Sequence, residues 1–125
     1  MIQKQKDLLL RNLCGMLPYG VICKSVNFRD PAKLVSIDLD GPSHDVFFCT
    51  NDGGSMWNDY DDIKPYLFPM SSMTEEQKIE EYKLMNSNFY TSTVELPNFY
   101  NKNHIDYQGL IPMGLAEDAT GKNIY

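Results

Sequence analysis

The sequence predicts an α+β fold: an N-terminal helix, an antiparallel meander of three to four strands, then C-terminal helices and an irregular closing segment. Three observations predict it. Apolar residues recur at helical spacing near the start of the chain, at Leu9, Leu10, Leu13, Cys14, Met16 and Leu17. Short β-rich runs follow, separated by turn residues. From Thr74 onward the pattern is that of a capped, largely polar helix.

The first helix runs over Gln3–Leu17, with Lys6, Asp7, Arg11 and Asn12 on the side away from the apolar stripe. Pro18 ends it, because proline has no N–H to continue the helix. Tyr19-Gly20 turns the chain into a strand at Val21–Val26. A second strand, Lys33–Leu39, alternates so that Val35, Ile37 and Leu39 face one way and Ser36 and Asp38 the other. A third, Asp45–Thr50, is more evenly apolar. Arg29-Asp30-Pro31 and Asp40-Gly41-Pro42-Ser43 supply the turns between them. Asn51–Asp62 is a polar acidic loop, part of which can pair as a fourth strand.

Pro65 and Pro69 then hold an extended strap. Ser72 with Glu75 and Thr74 with Gln77 each make a capping box for the next helix, and Thr74 is preferred because it puts both Glu75 and Glu76 at the positive end of the dipole. Ile79 and Tyr82 give that helix a thin apolar stripe, so it lies outside. Asn86–Thr93 reads as loop. Val94–Asn103 reads as a short helix with Pro97 in its first turn, burying Leu96, Phe99 and Tyr100. The tail, Thr120–Tyr125, is expected to fray.

The 125 residues suit a single domain spanning 1–125. A net charge of −6 and a pI of about 4.7 argue against a nucleic-acid partner, which needs clustered cations. Three cysteines without a CxxC pair read as buried, reduced thiols, which points to the cytoplasm. Residues 1–13 have neither the length nor the hydrophobicity of a membrane span, so no membrane partner is expected.

Several patterns bear on chemistry. Leu34–Pro42, LVSIDLDGP, resembles the first motif of the haloacid dehalogenase phosphatases, where two aspartates serve as nucleophile and acid/base. Pro42 stands where that family has Thr, and no crossover helices follow, so that reading is set aside. Asp38, Asp40 and His44 are the candidate metal ligands, although their spacing matches no zinc or calcium motif and no metal is assigned. The acids Asp52, Asp59, Asp61 and Asp62 read as a solvated negative loop. Gly121-Lys122 lacks the rest of a P-loop. His104, Asp106 and Tyr107 are the candidates for catalysis, with a His–Asp hydrogen bond expected to fix their loop or poise a base. No nucleophile accompanies them, so no catalytic residue is assigned and no cofactor is implied.

Three blocks, LPYGV at Leu17–Val21, DIKPYLFPMSSMTEEQ at Asp62–Gln77 and NHIDYQGLIPMGLAEDA at Asn103–Ala119, carry a resemblance. In order and content they are similar to a family of small uncharacterised proteins of gut anaerobes and their phages or mobile elements. That family commonly has Arg where this chain has Phe68 and Gln108, and a Trp near Phe99. The resemblance implies an origin and brings no activity. The function expected is non-catalytic binding of a protein partner, with Phe68, Met70 and Met73 as interaction candidates and Trp57, Tyr60, Phe89 and Tyr90 as further exposed aromatics. The alternative is a small hydrolase or metal-dependent enzyme built on the His/Asp cluster.

Overall fold

The computed structural model describes residues 2–27, 29–39, 45–49, 54–59 and 62–125. Helix α1 (Gln3–Met16) leads through a 3-10 turn, Leu17–Tyr19, into strands β1 (Ile22–Ser25), β2 (Ala32–Asp38), β3 (Asp45–Cys49), β4 (Ser55–Asp59) and β5 (Ile63–Leu67). Helices α2 (Glu75–Met85) and α3 (Leu96–Lys102) follow, and a two-residue strand, β6 (Glu117–Asp118), closes the sheet. The strand order is β4-β3-β2-β1-β5-β6. Strands β1 to β4 form the expected antiparallel meander, β5 adds antiparallel to the free side of β1, and β6 lies parallel to β5.

The strap is therefore part of the sheet. Pro65 pairs with Cys23, while β6 begins its pairing one residue later at Tyr66. Proline falls where β5 has a neighbour on one side only, and there its missing N–H costs no ladder bond on the other.

Leu9, Leu13 and Met16 of α1 pack on Val21, Cys23, Ala32, Leu34, Val46, Ile63 and Leu67, and Leu110, Leu115 and Ala116 close the core. Two expected faces are corrected. Asn12 is 1% exposed and Cys14 is exposed, because the buried stripe of α1 is Leu9, Asn12, Leu13 and Met16. Asn12 is tolerated there since its amide donates to Gln108 Oε1 at 3.0 Å. Beside it, Gly15 leaves the space that Asn101 of α3 occupies; a Cβ on Gly15 would stand 2.8 Å from the Asn101 amide nitrogen.

In β2 the buried residues are Ala32 and Leu34, while Val35, and Leu39 just past the strand, are exposed. The pairing with β3 shifts between Leu34 and Ser36, a bulge that reverses the alternation and brings Ile37 back against the core. Cys23 is a fully buried thiol whose pKa burial raises, and the Cys49 side chain lies outside the described residues.

Helix α2 starts as expected. Thr74 Oγ1 accepts from Gln77 N at 3.1 Å, and Gln77 Oε1 accepts from Thr74 N at 2.9 Å. Thr74→Ala removes half of this box and is expected to lower stability by about 1 kcal/mol, read as a shift in the denaturation midpoint. No residue of α2 is buried. It docks through half-buried Gln77, Glu81 and Leu84, with Gln77 donating to Asn103 and Glu81 accepting from the Tyr100 hydroxyl at 2.7 Å.

The expected loop at Asn86–Thr93 is helical from Phe89 onward, with Asn88 Oδ1 accepting from Thr91 N at 2.8 Å. Thr91–Glu95 is a π-helical turn in which Leu96 N–H reaches back to the Thr91 carbonyl. Pro97 explains the widening: it cannot donate to the carbonyl four residues back, and its ring crowds that position. Among the described residues, no helix is long and apolar enough to cross a membrane.

Candidate functional site

The catalytic candidates sit where α3 returns to the sheet. Phe68, just past β5, bonds on both sides to one segment: its N–H donates to the His104 carbonyl and its carbonyl accepts from Asp106 N–H, each at 2.8 Å. Ile105 between them is buried. The segment 104–106 is thereby laid parallel to the strap as a one-residue bridge.

His104 occupies the left-handed region at φ 55, which a non-glycine residue enters only when its surroundings demand it. Here they do. The ring stacks on Tyr125 with centroids 3.8 Å apart and 11° between planes, and Nε2 lies 3.0 Å from the Tyr19 carbonyl. A carbonyl only accepts, so Nε2 carries the proton and Nδ1 is left as a lone-pair acceptor. Burial lowers the pKa of His104, and the hydrogen bond to Tyr19 opposes that in part, so the ring is neutral at pH 7.

Tyr125 is the residue that the sequence reading missed. Its hydroxyl accepts from Ile22 N–H at 2.9 Å and donates to the Tyr66 carbonyl at 2.8 Å. The β1–β5 ladder has Cys23 opposite Pro65, so Ile22 and Tyr66 are the next rung, and a side-chain hydroxyl completes it. The ring also lies 5.9 Å from that of Phe68. The tail is thus anchored where fraying was expected, and burial of the hydroxyl raises its pKa.

Asp106 does not bond His104. It is buried, and its two carboxylate oxygens accept from Leu110 N at 2.7 Å and Ile111 N at 2.9 Å. Tyr107 stacks on Tyr100 at 4.9 Å and 15°, and burial raises its pKa against the opposing effects of Asn101 and Arg11. The three candidates are neighbours in the chain with three separate sets of partners.

A groove of about 430 Å³ opens beside them, lined by Phe68, Thr74, Gln77, Asn103, His104 and Tyr125 among others. Its chemistry is one neutral imidazole among amides, hydroxyls and aromatic faces. His104 Nδ1 has the basicity to take a proton, but neither Asp106 nor Tyr107 is placed to orient it or to follow it as an acid.

Of the metal candidates, Asp38 is exposed at the end of β2, while Asp40 and His44 lie outside the described residues. Among the described residues, no three His, Cys, Asp or Glu side chains are grouped to hold a metal ion. Of the interaction candidates, Phe68 and Met73 are half-buried and Met70 is exposed. Comparison with known protein families, curated proteins and solved structures finds no match.

A further group of exposed apolar residues lies elsewhere. Ile79, Tyr82 and Met85 of α2, with Phe89, Tyr90 and Val94 just beyond it, are all exposed, Phe89 to 83% and Tyr82 to 69%. The sequence signalled it through the thin stripe of α2 and the polar-aromatic run after it, but treating that run as loop hid the second helical stretch that begins at Phe89.

Proposed function

We propose that this chain is a cytoplasmic, non-catalytic protein that works by binding another protein, with the three-block resemblance supporting a phage or mobile-element origin. The observation that carries the reading is the set of exposed apolar residues Ile79, Tyr82 and Met85 on α2, a helix with no buried residue, and Phe89, Tyr90 and Val94 on the helical stretch that follows it. Isolated exposed apolar residues are ordinary, but six large ones within sixteen consecutive positions mark an interaction surface. Met70, on the turn that leads into α2, extends the apolar character toward the N-terminal end of that helix.

The His/Asp alternative is less well supported, because Asp106 and Tyr107 are each engaged in contacts that hold the backbone or the helix packing. The test is affinity capture from host lysate with the wild-type chain and with a Tyr82→Asp/Phe89→Ser variant. A protein retained by the first and lost by the second is the expected result. Equal retention by both, or none by either from a chain that is also monomeric, defeats the reading.

A further inference from the structure

We infer that the exposed face of α2 pairs with the same face of a second copy of this chain, in an antiparallel, two-fold arrangement. The inference rests on the protein-interaction reading and names the partner. The first argument is charge. Glu76 and Lys83 are seven residues apart and so share one flank of the apolar stripe, offset by only about 20°. Neither has an ion-pair partner among the described residues, whereas Lys78, which falls between Tyr82 and Met85 around the helix, is held by Glu75 at 3.3 Å.

When two copies of α2 lie antiparallel, the same flank of each faces the other. Glu76 of either copy then meets Lys83 of its mate, twice per dimer. A parallel pair would instead turn that flank toward the opposite flank of the mate, and Glu76 and Lys83 would not meet.

The second argument is register. A two-fold that pairs Glu76 with Lys83 also brings Ile79 against Tyr82 of the mate. Both pairings centre within about one residue of Glu80, a mismatch of about 1.5 Å along the axis. The apolar stripe and the charges thus ask for the same arrangement.

The third argument is area. Ile79, Tyr82, Met85, Phe89, Tyr90 and Val94 together present roughly 700 Å² of accessible surface, close to the ~800 Å² per partner of a specific interface. An isologous dimer uses that single patch on both copies and leaves no open end to polymerise.

Sedimentation or light scattering on the purified chain at about 100 µM is the first measurement, and the expected mass is twice 14.4 kDa. Tyr82→Asp is expected to return it to the monomer with an unchanged far-UV spectrum, since Tyr82 is exposed. Glu76→Lys and Lys83→Glu are each expected to weaken the dimer about tenfold, and an equimolar mixture of the two to restore it, because the mixed pair places opposite charges at both contacts. A monomeric wild type at that concentration overturns the inference, as does a dimer indifferent to Tyr82→Asp and to both charge reversals. A monomer that still captures a host protein through Tyr82 and Phe89 overturns self-pairing and leaves the protein-interaction reading standing; a monomer that captures nothing defeats both.

Discussion

Replacing Asp106 with Ala is expected to cost about 3 kcal/mol of folding stability. The carboxylate accepts from two backbone N–H groups, Leu110 at 2.7 Å and Ile111 at 2.9 Å, in a buried setting. Alanine leaves both amides without an acceptor, and each then carries its own desolvation penalty. The loss spreads into the core. The turn that Asp106 caps is the one that places Leu110, 0% exposed, against the α1–sheet cluster with Ile111 packed beside it. Asp106→Asn keeps one acceptor but turns a second N–H donor toward a backbone N–H, so about half the loss is expected. Urea denaturation measures both: the midpoint falls while the slope stays that of the wild type. An Asn variant as stable as the wild type contradicts the capping role and returns Asp106 to the list of acid/base candidates.

The parts of this fold that were legible in the sequence are those whose causes are local. The α2 cap needs Thr74 and Gln77, three residues apart, and both its register and its exposed position follow from that neighbourhood. The turn residues placed the meander for the same reason. What escaped was set by partners far along the chain. The bulge near Val35 arises from how β3 pairs with β2, and one shifted residue is enough to put Val35 and Ile37 on opposite faces. Asn12 looks like a surface residue until Gln108, ninety-six positions away, accepts from its amide nitrogen; its Oδ1 stays without a partner. The candidate site shows the same division. His104 and Asp106 were placed on one loop, but their function in the fold comes from Tyr19 and Tyr125 for the one and the amides of Leu110 and Ile111 for the other. Proximity in the chain suggested a bond between them that the bridge to Phe68 does not make.

The exposed face of α2 follows from competition between propensity and packing. Glu75–Met85 is rich in good helix formers and is capped at its start, so it forms without needing a buried stripe of its own. Its inner contacts are polar: Gln77 to Asn103, and Glu81 to Tyr100, whose hydroxyl pKa is raised chiefly by burial and further by that carboxylate. Apolar residues that the core does not use are thereby left outward, which is where a binding surface must be.

Tyr125→Ala is expected to rival the Asp106 change, at about 3 kcal/mol, because one side chain closes three contacts. Its hydroxyl fills the Ile22–Tyr66 rung between β1 and β5, its ring carries the His104 stack, and it meets Phe68. Tyr125→Phe keeps the rings and removes the rung, for an expected loss of about 1–2 kcal/mol. His104 supplies the signature that separates this cluster from generic packing. Its folded pKa lies below the unfolded value of 6.5, so the unfolded chain binds the proton more readily. The contribution of the neutral ring is therefore fully present above about pH 6.5 and is lost as the pH falls from there through the folded pKa. Asp118, whose carboxyl is held below its usual range by Thr120, titrates further down, outside this window. A His104→Gln variant should show a flatter stability curve below pH 6.5 than the wild type, and His44, present in both, cancels in the difference. Tyr125→Ala should flatten it too, because opening the stack lets water reach the imidazole and removes the burial that depresses its pKa. Parallel curves for wild type and His104→Gln across pH 5 to 7 would mean that the imidazole is solvated in the folded chain, and that the C-terminal residues are not held against it.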